Sequence, residues 1–201
     1  METWVVTFAD LMALLFCFFV LLTSLSTAPK NCQGLKEYFE QNRAFYKNFE
    51  LRNSKLECII TLPSDALFRS GQDVLQAQAL RRLRPLAQKI VSLPEHETDL
   101  IIVEGHTDNV PIRSRRFRSN WELSSARAVN VSNYLRRAGM PEGQLSIRAF
   151  ADKRPREHYE DAAGKKLRGR QLANVRRANR RVEIILSDRP KGLEEFQPLF
   201  K

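Results

Sequence analysis

The sequence predicts a single N-terminal transmembrane helix followed by an α/β domain, an α+β sandwich with helices on one face of a small sheet. Three observations carry this. Residues 4–25 form an apolar run with one charge, strand-like and helix-like segments alternate from residue 58 to 186, and no Lys or Arg occurs before residue 30. A chain of 201 residues holds one ordinary domain plus an appendage. Its 43% hydrophobic and 28% charged content excludes wholesale disorder.

The apolar run, WVVTFADLMALLFCFFVLLTSL, spans about 33 Å as a helix, the thickness of a hydrocarbon core. A buried soluble helix normally keeps a polar stripe, which this one lacks. A secretory signal would want a basic start, whereas the chain begins Met1-Glu2-Thr3, and Ser26-Thr27-Ala28 is only a fair cleavage site. A retained anchor is the expectation. Counting Lys30, Lys36 and Arg43 after the span would place the C-terminal part in the cytoplasm. The short tail before the span points instead to an upstream start that carries further basic residues.

Asp10 is the one charge in the run. A carboxylate in lipid costs several kcal/mol unless it is protonated, partnered or required to change charge. Leu14, Cys17 and Leu21 share its helical face, within about 40°, and none is basic. Two readings follow: an acid that snorkels to the interface, or a site for a proton or cation within a helix bundle.

Residues 26–55 place Leu35, Tyr38, Phe39, Phe45 and Phe49 among charges at loosely helical spacing, which reads as an amphipathic connector. Cys58–Leu62 is a strand ended by Pro63. Asp73–Leu93 has helical periodicity that Pro85 should kink or break. Asp99–Glu104 is a buried strand leading into Gly105-His106-Thr107-Asp108. Ser119-Asn120-Trp121-Glu122 is a capping box for a helix to Arg137, ended by Gly139 and Pro141. Leu145–Ala151 and Arg181–Leu186 complete four strands, with a basic insertion between the last two.

Several chemistries drop out. Cys17, Cys32 and Cys58 have no metal-site or framework spacing; at most Cys32 and Cys58 could pair, and free thiols are the expected state. The scattered His96, His106 and His158 make a metal enzyme improbable. The formal charge of +10, concentrated between Arg113 and Arg181, raises nucleic acid as a partner. No RNA-binding or helix-turn-helix motif supports it, and the membrane span opposes it. His106 sits in a turn and reads first as a structural hydrogen-bonding residue.

Phe8-Ala9-Asp10-Leu11-Met12 followed by Cys17-Phe18-Phe19-Val20-Leu21-Leu22 resembles the transmembrane helix of flagellar stator B subunits, the MotB/PomB type. Gly105-His106-Thr107-Asp108-Asn109-Val110-Pro111-Ile112, Asn120, Leu123-Ser124-Ser125-Ala126-Arg127-Ala128 and Asn179-Arg180-Arg181-Val182-Glu183-Ile184 resemble the OmpA-like peptidoglycan-binding domain. The resemblance implies Asp10 as the ion-binding carboxylate. It also implies a wall site at Asp108 and Arg127, with Thr107, Asn179 and Arg180 as further candidates. A diaminopimelate stem residue carries an ammonium and a carboxylate at one end. Asp108 would accept from the first and Arg127 would fork onto the second. The bland alternative is an internal Asp108–Arg127 ion pair. Asn179 and Arg180 either line the site or simply begin the last strand.

The resemblance therefore implies a non-enzymatic, cofactor-free stator subunit that conducts Na⁺ or H⁺. Its helix lies in the bacterial inner membrane and its domain in the periplasm. The implied partners are a multi-span stator A subunit (MotA/PomA type), a second B subunit and peptidoglycan. The wording around Asp10 leans toward sodium-type subunits, whereas its oxygen-poor face favours protons. Alternatives are a passive membrane-anchored OmpA-like wall-binding protein and a stator-like subunit of another ion-driven motor. The expected organisation is a channel helix at 1–25, a linker or plug segment at 26–55, the wall-binding domain at 56–189 and a tail at 190–201.

Overall fold

A computed structural model describes residues 3–24 and 30–188. The expected tail at 190–201 and the candidate cleavage site at Ser26-Thr27-Ala28 lie outside the described residues. Helix α1 (Thr3–Ser24) carries the apolar run. Every side chain from Trp4 to Leu21 is exposed. Among the described residues this is the one helix long and apolar enough to cross a membrane. So much uncovered apolar surface is stable only against lipid or other helices.

The remainder builds a five-stranded sheet. In chain order come α2 (Gln33–Gln41), β1 (Glu50–Asn53), β2 (Glu57–Pro63), α3 (Ser64–Leu67), α4 (Ala77–Ser92) and β3 (Leu100–His106). Then follow α5 (Asn120–Arg137), β4 (Leu145–Ala151), α6 (Gly169–Asn179) and β5 (Arg181–Ser187). The strand order is β1-β2-β5-β3-β4. Only β3 and β4 pair in parallel, joined by the α5 crossover that parallel neighbours require. β5 enters last between β2 and β3, antiparallel to both.

Alternation along the strands sorts the two sheet faces. Ile60, Leu62, Ile101, Val103, Val182, Ile184 and Leu186 point to one face. There they meet Leu83, Leu86, Ala87 and Ile90 of α4 and Ala128, Val131 and Leu135 of α5. The opposite face carries Thr61, Glu104, His106 and Glu183. α5 begins at its predicted cap, where Ser119 Oγ accepts from the Glu122 amide at 3.3 Å, while Glu122 Oε2 accepts from the Arg118 amide at 2.7 Å, one residue before the cap and not from the cap itself. It ends at Gly139, whose φ of +112° suits glycine, while the Met140 amide returns to the Leu135 carbonyl.

Four expectations need correction. α4 runs through Pro85 as one helix, so the break that the proline allowed is absent. The missing amide costs about 3 kcal/mol, but the buried row from Ala79 to Ile90 holds both halves against the sheet. The basic insertion contains α6, which short polar periodicity hid. Residues 33–53 are no loose connector: Leu35, Tyr46 and Phe49 are buried in the core, and β1 adds a fifth strand. Finally, Cys32 and Cys58 form a disulfide, because residues 30–32, just before α2, lie against the β1–β2 hairpin, where the Lys30 amide donates to the Lys55 carbonyl at 2.8 Å, and the two Cα atoms come to 5.8 Å. Cys17 is the free, exposed thiol.

These contacts generate a prediction about fragments. A fragment starting at Lys30 retains the disulfide, whereas one starting at Leu56 loses it and uncovers core. Urea unfolding of the longer fragment should show stability higher by about 2–4 kcal/mol, most of it lost on reduction. Equal midpoints for the two fragments would show that residues 30–55 contribute nothing to the fold.

Candidate functional site

The cleft begins where β3 ends. Gly105 lies against α5 so closely that a Cβ there would collide with the Ser124 carbonyl. The chain then turns out of the sheet at Thr107, whose amide donates to the Ala151 carbonyl at 2.8 Å. Asp108 follows, its Oδ1 accepting from the Val110 amide at 3.0 Å. Asn120 fixes this turn from the start of α5. Its Nδ2 donates to the Asp108 and Val110 carbonyls, and its Oδ1 accepts from the Ile112 amide. Asp108 is therefore a preset acceptor.

Arg127 faces the same cleft from two turns into α5. Its guanidinium lies 5.0 Å over the Phe68 ring, and Nε donates to the Gln72 carbonyl at 2.9 Å. Asn130, one turn further, holds that loop by donating to the Asp73 carbonyl and carboxylate, and Arg116 pairs with the same carboxylate at 2.8 Å. No hydrogen bond uses the terminal nitrogens of Arg127 among the described residues. The side chain is 4% exposed, and burial pushes its pKa down to about 10, against the pull of Asp65.

Asp108 does not pair with Arg127, so the internal ion pair that the sequence allowed is absent. Its Oδ2 accepts from Arg180 at 2.8 Å. Arg180 also spans Asp65, donating through Nε at 3.3 Å and a terminal nitrogen at 3.0 Å. These bonds, led by those to Asp65, hold the guanidinium above its ordinary pKa. Asp65, Phe68, Thr107, Asp108, Asn120, Arg127 and Arg180 all line one cleft of about 760 Å³.

Of the predicted wall-site residues, the fold brings together Thr107, Asp108, Arg127 and Arg180. Thr107 shapes the turn and is buried. Asn179 departs from the cleft: it is fully buried, accepts from the Arg156 and Glu157 amides, and donates to the Glu157 carbonyl. Sequence reasoning missed Asp65 and Phe68, which sit in no motif and reach the cleft only through the α3 turn. Asp10 lies on exposed α1 with Leu14, Cys17 and Leu21 on its side, one turn beyond Thr7, whose hydroxyl donates to the Trp4 carbonyl.

The cleft offers acceptors at one end and an unspent planar donor at the other, above an aromatic floor. That arrangement places opposite charges at the two ends of one cleft. Comparisons with known proteins match both the apolar helix and the sheet domain. The OmpA family model matches residues 67–169, just over half the chain. A second model, described as membrane MotB of the proton-channel complex MotA/MotB, matches residues 1–42. Motility protein B of Bacillus subtilis is 28% identical over 83% of this chain, which spans 58% of that protein's length. Motility protein B of Helicobacter pylori is 26% identical over 98% of this chain and 93% of its own. The solved periplasmic domain of Helicobacter pylori MotB superposes with a TM-score of 0.60 at 26% identity, covering 76% of this chain and 89% of that one. The chain belongs to the OmpA family. More narrowly, it is similar to motility protein B along nearly its whole length, with the MotB model on its apolar helix and the OmpA model on its sheet domain.

Burying an arginine without filling its hydrogen bonds costs stability, so Arg127→Met should stabilise the unliganded protein by about 1–3 kcal/mol. The sign with pH is set. Below pH 10 folded and unfolded states both hold the proton, and the cost is constant. Above about pH 10 the folded state releases it before the unfolded state does, so wild-type stability rises with pH there. Urea melts at pH 7 and above pH 10 should show the Met advantage shrinking; a destabilised Met variant contradicts the idea of a strained site.

Proposed function

We propose that this chain is the cell-wall-anchored, ion-conducting stator subunit of a bacterial flagellar motor. The observation that carries the proposal is one chain holding both a carboxylate in a membrane-length apolar helix and a preset Asp108/Arg127 cleft. The relatives named above support the flagellar assignment. The cleft binds the diaminopimelate end of a peptidoglycan stem, with Asp108 accepting from the ammonium and Arg127 forking onto the carboxylate. For this the ammonium takes the place of Arg180 on Asp108, while Asp65 keeps Arg180 paired. Residues 30–188 act together as the wall-binding unit.

In this reading α1 lies in the inner membrane and the domain in the periplasm. The Cys32–Cys58 disulfide suits an oxidising compartment and outweighs the positive-inside count. One helix cannot enclose an ion path, so Asp10 works against a multi-span A-type subunit and a second copy of this chain. One charge moving through 100 mV releases about 2.3 kcal/mol, enough to bias a step in partner helices. The transported ion is the proton: the face around Asp10 is poor in the hard oxygens that sodium needs, and the matched MotB model is described as part of a proton-channel complex.

Two measurements test the halves separately. Asp108→Ala and Arg127→Ala should each weaken pull-down by purified diaminopimelate-type sacculi by about 1.5–3 kcal/mol. Undiminished binding by both folded variants would refute the wall site. Asp10→Asn should insert normally and abolish motility, because an amide cannot cycle its charge. Wild-type swimming from that variant would leave a passive anchor as the better reading. Motility at fixed proton-motive force should be indifferent to external sodium; strict sodium dependence would overturn the proton assignment.

A further inference from the structure

The sheet face opposite the helices holds a cluster that neither the cleft nor the membrane helix uses. Glu104 and His106 alternate with core residues on β3, and Glu183 comes from the adjoining β5, paired directly with Glu104. All three are buried, His106 with 1% exposure. Neither ring nitrogen of His106 has a hydrogen-bond partner, although both are sealed from solvent. Leaving such a group unsatisfied costs about 1–3 kcal/mol, so the histidine needs a reason to be there.

The two carboxylates divide their oxygens in a consistent way. Glu183 Oε1 accepts from Arg52 at 3.0 Å and from Arg181 at 2.9 Å, and Glu104 Oε1 accepts from Arg148 at 3.3 Å. The arginines leave both Oε2 atoms aside. Those two atoms face His106 Nε2 instead, at 3.6 Å from Glu104 and 3.9 Å from Glu183. The distances are too long for hydrogen bonds. They are close to the roughly 3.3–3.6 Å that separates two tetrahedral ligands of an ion with bonds of about 2.0–2.2 Å. One ligand atom from each residue lies within 4.8 Å of the others.

We propose that Glu104, His106 and Glu183 form a binding site for a divalent ion of the Zn²⁺ class. One imidazole nitrogen and two carboxylate oxygens would hold it, with water in the fourth position. The donor set, one nitrogen and two oxygens without sulfur, suits zinc better than the harder calcium or softer copper(I). Arg52, Arg148 and Arg181 would orient the ligating carboxylates from behind, as outer-shell partners do. The ion would clamp β3 to β5 immediately before Thr107 and Asp108, and so stiffen the rim of the cleft. This site rests on its own geometry and not on the peptidoglycan reading.

The test uses the full chain, free of any purification tag, in detergent micelles after chelator treatment. Equilibrium dialysis against Zn²⁺ should leave one ion per chain, and thermal unfolding should shift upward. Substituting Co²⁺ should give the visible absorption of a four- or five-coordinate site. His106→Gln and Glu104→Gln should each weaken binding by about tenfold or more and remove the thermal shift. Because either variant could unfold, wild-type protein is also followed by nitrogen NMR. There the His106 ring signals should move on Zn²⁺ addition while those of His96 and His158 stay. Absence of stoichiometric binding, binding that survives both substitutions, or an unmoved His106 signal would overturn the site and leave a histidine held by two carboxylates.

Discussion

Strand β3 and helix α5 touch backbone to backbone at Gly105, where no side chain fits beneath the Ser124 carbonyl. The geometry of the cleft depends on that contact. Asp108 lies three residues beyond Gly105, and Arg127 lies three residues beyond Ser124 on the same helical face. Ser124 reinforces the junction, its hydroxyl accepting from the Ala151 amide at 3.3 Å, where β4 leaves the sheet. A bulkier residue at 105 would lift the helix and move Arg127 away from Phe68 and the Gln72 carbonyl. Small size at one position thus sets the spacing between two charged groups, neither of which touches the other.

Much of this was legible in the sequence because it is local. The capping box, the Gly139 stop and the apolar alternation of β3 and β5 depend on neighbours a few residues away. The GHTD turn and the arginine on the following helix also carry a motif. What escaped was non-local. β1 exists because Leu51 and its neighbours pair with β2, and four residues leave almost no periodic signal. Cys32 and Cys58 are 26 residues apart, and only the packing of residues 30–32 against the β1–β2 hairpin brings them together. Asp65 gained a role through Arg180, 115 residues later. Asn179 also sits in the motif; of the two roles the sequence left open for it, the structure shows the structural one, its amide consumed by residues 156 and 157.

The sheet separates two kinds of work. Its apolar face holds α4 and α5. Its other face carries charge between β1 and β4, where the directly paired acids Glu183 and Glu104 are flanked by Arg52 on one side and Arg148 on the other. Such cross-strand pairs add little stability when exposed, but here the acids are buried and the arginine stems cover them. β5 joins the two systems: Val182 and Ile184 face the core, while Arg181 and Glu183 face the charged side. Asn179 and Arg180, just before it, tie the strand to the insertion and to the cleft. A single segment of nine residues therefore couples core, polar face and binding site.

The cleft is poised by opposed costs. Arg127 is buried with donors unspent, which destabilises the empty site, and Asp108 is kept neutral in sum by Arg180. A ligand that brings both an ammonium and a carboxylate relieves the first problem and merely exchanges partners in the second. The net gain from the exchange is small, because one ion pair replaces another and Arg180 falls back on Asp65. Removing Asp108 would still leave the ligand's ammonium without its acceptor, so both groups contribute to the affinity for an isolated stem peptide. Peptidoglycan repeats its stems along a lattice, and in the proposed dimer two clefts engage it together. The second attachment becomes intramolecular, with an effective concentration set by the span between clefts. Modest single-site affinity therefore permits firm anchoring under load while leaving each contact free to release and rebind.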